Sequence, residues 1–200
     1  MNDLPRAAAP LLLVLYLGVA FIWRSYAVWR QTGVNPYVLS RQDDAEGVIA
    51  RGFRGLMGLL VVVVGLYAVS PHAYTLVAPV KWLEHPRLQV VGLTLLLVSL
   101  AWMAAAQAHM GKSWRIGIDA NKPTELVEGG LFGRSRNPIF LGMRVSLIGF
   151  FLLLPNAGTL LVLVLGEVLI QVQVRLEEAF LTAMHGDAYR AYSRRVRRWL

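Results

Sequence analysis

Five apolar runs, each close to the length a helix needs to cross a bilayer, fill most of this 200-residue chain and leave it little choice but a membrane-embedded helical bundle. They read as Ala8 to Val28, Leu56 to Val80 with an interruption at Ser70-Pro71-His72, Leu88 to Ala108, Ile139 to Leu154, and Ala157 to Val174. The last two are short and separated only by Pro155-Asn156, which predicts a tight helical hairpin. With 56% hydrophobic and 16% charged residues the chain is too apolar for a soluble domain of its size. The predicted fold class is therefore all-α and integral to the membrane, with about five transmembrane helices. It is one domain over 1–200, of which 1–106 hold spans one to three and 107–200 form the polar half. No small-residue cleavage site follows the first run, which predicts a retained span and not a signal peptide.

The net charge of +8 would suit a nucleic-acid partner, but no basic patch interleaves with aromatics on a soluble module, so none is expected. In a membrane protein, positive residues first report topology. Arg24, Arg30, Arg41, Arg51 and Arg54 lie between spans one and two, and Lys112, Arg115, Lys122, Arg134 and Arg136 between spans three and four. The tail adds Arg175, Arg190, Arg194, Arg195, Arg197 and Arg198, whereas the opposite side has only Arg6, Lys81 and Arg87. Five spans with the N-terminus outside place every rich segment in the cytosol, and the chemistry with them. The chain has no cysteine, which excludes disulfides and thiolate chemistry, and its histidines have no metal-ligand spacing, so no metal is predicted.

Polar side chains crowd the part after Gln107. The loop from His109 to Asn137 contains Gly111, Gly117, Gly129, Gly130, Gly133 and Pro123, which permit turns and close backbone approach. In the tail, Leu176, Phe180, Met184, Ala188, Tyr192, Val196 and Trp199 recur every three or four residues, predicting an amphipathic helix at the membrane surface. Arg194, Arg195, Arg197 and Arg198 read as anchors to anionic lipid headgroups. Glu177 and Glu178 stand where a carboxylate is costly without a partner or ligand, which marks a site; acids in the first turn of a helix are the competing explanation. His109 is either a cofactor contact or base, or a satisfied structural residue. Arg144 and Glu167 lie inside spans four and five, the same number of residues from the Pro155-Asn156 turn, so they should face each other.

Two patches then read together. "SRNPIFLG" resembles the R-H-P-x-Y-x-G signature, and "RLEEAFLTAMHGDAYRAY" the E-E-x-x-L…G-x-x-Y-x-x-Y signature, of the isoprenylcysteine carboxyl methyltransferase family. The looser "MGKSWRIGID…LVEGGLFGRSRNP" is similar to its bacterial members, which implies a bacterial inner membrane. The resemblance implies S-adenosylmethionine as methyl donor, bound between the hairpin, the preceding loop and the C-terminal helix. It also implies a membrane lipid or isoprenoid acceptor arriving sideways from the bilayer. Carried over by position, the donor site comprises His109, Leu126, Val127, Gly130, Asn137, Pro138, Phe140, Glu177, Glu178, Tyr189 and Tyr192. Arg136 and Arg175 flank the pocket as catalytic candidates and favour a carboxylate- or phosphate-bearing acceptor, and Arg144 with Glu167 would line the substrate tunnel. Asn137 replaces the family's His and Phe140 its Tyr, so hydrogen bonds from those rings must come from an amide or be omitted. Pro138 at a first helical turn costs no hydrogen bond, and that turn's free N–H groups suit an oxyanion; Asn137 is an N-cap or a cofactor ligand. The competing readings are a sterol- or steroid-type reductase using a nicotinamide cofactor, and a non-catalytic binding protein that kept the fold.

Overall fold

The computed structural model describes residues 3–36, 44–116 and 125–200; Arg41, Gly117, Lys122 and Pro123 lie outside them. The first span runs without a break through α1 (Asp3–Tyr16), a π-helical stretch (Leu17–Trp23) and α2 (Arg24–Thr32). The π turns leave the i→i+4 ladder, and buried Gln107 donates its amide N–H to the Ala20 carbonyl at 3.0 Å within that stretch.

The second apolar run misjudges its helix at both ends. Helix α3 spans Ala45–Val69, beginning where Asp44 Oδ1 accepts the Gly47 N–H at 2.6 Å. Its opening turns hold Glu46, Arg51 and Arg54 and so fall outside any hydropathy count. It ends at Val69 and not at Val80, because Ser70 is extended (φ −155°, ψ 133°) and its hydroxyl caps a separate short helix, α4 (Pro71–Tyr74). Helix α5 (Pro86–Met110) is the third span.

The hairpin is unequal. Helix α6 (Pro138–Leu153) has 16 residues and α7 (Ala157–His185) has 29. At 1.5 Å per residue these are about 24 Å and about 43 Å, so α7 runs well past its partner. Among the described residues four helical stretches are long and apolar enough to cross a bilayer: Arg6–Thr32, Ala45–Val69, Pro86–Ser113 and Ala157–His185. Helix α6 is the shorter apolar fifth.

The amphipathic tail also differs from expectation. Leu176, Phe180 and Met184 belong to α7, which stops where Gly186 takes φ 55°, a region that disfavours any side chain. Only then does α8 (Asp187–Arg195) begin, and Val196 leaves it in extended conformation. Glu177 and Glu178 therefore sit twenty residues into a helix and not in a first turn, so the dipole explanation for them does not hold.

Packing is closest between α5 and α6. A Cβ on Gly92 would meet Leu153 N at 2.7 Å and one on Gly142 would overlap Met103 Cγ, so these backbones approach over small residues as membrane helices do. Trp102 Nε1 donates to the Pro138 carbonyl at 2.8 Å and fixes the start of α6 against α5. Leu60, Val64, Leu96, Met103, Phe150, Leu153 and Val162 form the buried core between the spans.

Candidate active site

Helix α6 opens at the same end of the bundle at which α7 overhangs, and the polar residues meet there. Ser135, Asn137 and Pro138 are buried despite lying at a helix start. Arg136 is only 14% exposed and Glu178 13%. The Glu178 carboxylate collects three groups. Asn137 Nδ2 donates to Oε1 at 3.1 Å, Arg136 Nη2 lies 3.3 Å from the same oxygen, and Arg198 straddles both oxygens from Nε (3.1 Å to each) and Nη2 (2.7 Å to Oε2). Such forked, charge-assisted bonds are the strong ones.

The segment after α8 completes this cluster. The Arg136 N–H donates to the Arg197 carbonyl at 2.9 Å, and the Ser135 hydroxyl and Asn137 Nδ2 donate to the Arg198 carbonyl at 3.3 and 3.4 Å. Arg136 Nη1 donates to the Ser193 carbonyl at 3.1 Å. Arg198 is thus an ion-pair partner of Glu178, and Arg195 pairs with Glu128. Charge counting reads both only as anchors to anionic lipid, because the carboxylates they meet lie 20 and 67 positions away in sequence.

Asn137 precedes α6 at φ −130°, ψ 54°, and its side chain caps nothing, being turned to Glu178. The first-turn N–H groups of α6 are left without a side-chain cap. Arg136 Nε is buried with no hydrogen-bond partner among the described residues, and so is His185 Nε2 at the end of α7. Glu177 is half-buried and makes no hydrogen bond or ion pair among the described residues. The Glu178 carboxylate is saturated by protein and carries one negative charge against the two positive charges of Arg136 and Arg198. Among the described residues this leaves the cluster one net positive charge and Glu177 as a second carboxylate without a partner.

The remaining candidates divide. Tyr189 and Tyr192 are buried under α8 with rings 5.8 Å apart, and the Tyr192 hydroxyl donates to the Phe132 carbonyl at 2.8 Å, bracing the loop before α6. Burial pushes the Tyr192 phenol up to about 12 against the opposing pull of Arg136, and burial likewise raises Tyr189, with Glu178 adding to it. His109 packs under Gly130, whose φ of 61° and ring contact (a Cβ would lie 2.8 Å from the imidazole) leave room only for glycine; the Leu131 N–H reaches His109 Nδ1 at 3.5 Å. Leu126, Val127 and Phe140 are half-buried around the same end. Arg175 stands apart from the Glu178 cluster: it is exposed, and its Nη1 donates to the Gln171 carbonyl and Oε1 at 2.6 and 2.9 Å. Arg144 and Glu167 do pair across the hairpin, Nε to Oε2, at 2.8 Å.

This is a polar, largely buried cluster of charged side chains at one end of the helical bundle. The sequence profile of a family described as phospholipid methyltransferase matches residues 88–188, about half of the chain, from the start of α5 to the start of α8. Comparison with curated proteins and with solved structures gave no match. The match falls within the group of integral membrane methyltransferases that the two motifs resemble. The chain belongs to the phospholipid methyltransferase family, and it is an integral membrane methyltransferase.

Proposed function

We propose that the protein transfers a methyl group from S-adenosylmethionine to the headgroup of a membrane phospholipid, at the end of the bundle where α6 begins. The observation that carries the reading is the division of labour between the two acids: Glu178 is held by Asn137, Arg136 and Arg198, whereas Glu177 is left without a partner among the described residues. The residues present fit the donor's amino-acid end. Arg136, with its buried unpartnered Nε, and the uncapped first turn of α6 suit a carboxylate, and Glu177 suits an ammonium or ribose hydroxyls.

When bound, the donor would supply an electrophilic methyl group on a sulfonium, which the acceptor's lone pair takes as the C–S bond breaks and the donor leaves as its neutral thioether. The chain's part is alignment and exclusion of water, for which no metal is needed. Glu178 fixes the guanidinium planes of Arg136 and Arg198, so their charge is oriented before any ligand arrives. Tyr192 and His109 brace the loop that leads into α6. Positive residues crowd this end, where Arg24 donates to the Gly111 carbonyl beside Lys112, and that charge bias supports a cytosolic site.

The test is incubation of the purified protein in lipid nanodiscs with methyl-labelled donor and a total lipid extract. Label in base-stable phospholipid is the expected result. Label released by mild base as methanol would mean a carboxylate acceptor, and label in no lipid would remove the reading.

A further inference from the structure

Arg144, two turns into α6, is held in an unusual way. Its Nε donates to Glu167 Oε2 at 2.8 Å, and the ring centroid of Trp199 lies 4.4 Å from its Cζ. Neither Nη donates a hydrogen bond among the described residues, and the side chain is 30% exposed. One edge and one face of the guanidinium are therefore fixed while its outer fork of N–H groups is open, the arrangement that takes two phosphate oxygens at once. Glu167 is itself fully engaged, because Oε1 accepts Gln171 Nε2 at 2.8 Å, and Gln171 in turn accepts from Arg175. Arg144, Glu167 and Arg175 sum to one positive charge, which a single phosphate would neutralise in a medium where net charge is expensive.

The surroundings select the source of that phosphate. On α7 the polar stripe of Glu167, Gln171 and Arg175 is flanked by exposed Val164, Val168 and Val172, side chains that suit acyl chains and not water. We propose that Arg144 is the receptor for the phosphate of the acceptor lipid, with Glu167 and Trp199 as the residues that position it. This rests on the phospholipid reading above and adds the subsite. Arg144 lies about 9 Å along α6 from Pro138. The phosphate is then held deeper than the donor pocket, with acyl chains in the bilayer and the headgroup's reactive atom extending toward Glu177. Trp199 follows Arg198 directly, so one extended segment braces the donor end through Glu178 and the lipid end through Arg144.

Calorimetry in a non-ionic detergent tests this without requiring turnover. Three probes are compared: a dihexanoyl phospholipid with an ethanolamine headgroup, a dihexanoyl ether lipid carrying the same amine without phosphate, and inorganic phosphate. The wild type should bind the phospholipid at least about tenfold more tightly than the phosphate-free lipid. Arg144→Lys, which keeps the charge but loses the fork, and Trp199→Leu should each lose most of that preference. Trp199→Phe should keep it, and all should bind S-adenosylmethionine as the wild type does. An unchanged preference in Arg144→Lys overturns the proposal, and so does inorganic phosphate displacing the lipid at millimolar concentration, which would mean a free-anion site. A wild type that shows the Arg144-dependent preference but methylates no phospholipid leaves this subsite standing and removes the proposed function; methylation with no such preference does the reverse.

Discussion

Two asparagines stand before the two helices of the hairpin and do opposite things. Asn156 is fully buried and closes on its own helix: its Oδ1 accepts the Thr159 N–H at 2.9 Å, the Thr159 hydroxyl accepts the Asn156 N–H at 3.3 Å, and its Nδ2 donates to the Leu154 carbonyl and the Tyr74 hydroxyl at 2.8 and 3.2 Å. The Val80 N–H also donates to the Pro155 carbonyl at 2.8 Å, which ties the turn to the segment before α5. Asn137 gives up its capping bond to reach Glu178 and joins a cluster of two arginines and one carboxylate. Where every polar group closes on its neighbour the hairpin gains stability, and where a cap is withheld the helix start keeps open donors for something else.

The comparison breaks most readily at Glu178. Glu178→Gln removes the charge facing Arg136 and Arg198, and the variant should lose about 3 kcal/mol of stability, as when one partner of a buried pair is deleted. Thermal unfolding in detergent reads this, and a loss below about 1 kcal/mol would mean the cluster is held by its backbone bonds alone. Next come the two asparagines themselves. Asn156→Ala should cost about 1–2 kcal/mol through a lost capping box, and leave donor affinity untouched. Asn137→Ala should cost less stability and weaken the donor about tenfold; equal stability losses would erase the distinction.

Smaller still is the coupling in the hairpin. Arg144→Met, Glu167→Gln and the double variant, compared by thermal stability, should be non-additive by about 0.5–1 kcal/mol, since the second change costs little once the first is made. Simple additivity would reject the pair as an energetic unit. A further effect is a pH dependence at Tyr192. Its phenol is protonated in both folded and unfolded chains below about pH 10; the unfolded chain then releases the proton, while the folded one holds it up to about 12. Stability should therefore decline from about pH 10 to pH 12 as the unfolded state alone gives up its proton. Tyr192→Phe should shallow that decline at the expense of about 1 kcal/mol for the bond to Phe132. An unchanged slope in the variant would assign the decline to other groups.

Hydropathy located every span and the Pro155-Asn156 turn, because length in apolar residues is the constraint the bilayer imposes. It missed the ends of α3, which Asp44 and Ser70 set through capping, and it merged α7 with α8, which only the backbone of Gly186 separates. Equal distance from the turn was enough to pair Arg144 with Glu167, since a hairpin's geometry is local. Trp199 over Arg144 and Arg198 on Glu178 were illegible for the opposite reason: both contacts depend on where an extended segment returns after two helices, and no periodicity encodes that path. Tyr189 and Tyr192 belong to a motif, yet Tyr192 spends its hydroxyl on bracing a loop, a role spacing alone does not distinguish from ligand binding.

The end bearing Asn137, Arg136 and Glu177, which has no partner among the described residues, is proposed to bind the methyl donor. Isothermal calorimetry of S-adenosylmethionine, or its demethylated product, with the folded protein in detergent tests it most directly. Saturable binding of one donor per chain is expected, weakened at least about tenfold by Glu177→Gln and unchanged by Asn156→Ala at the far end of the hairpin. Absence of binding by the folded wild-type protein, or equal affinity in Glu177→Gln and wild type, would contradict it.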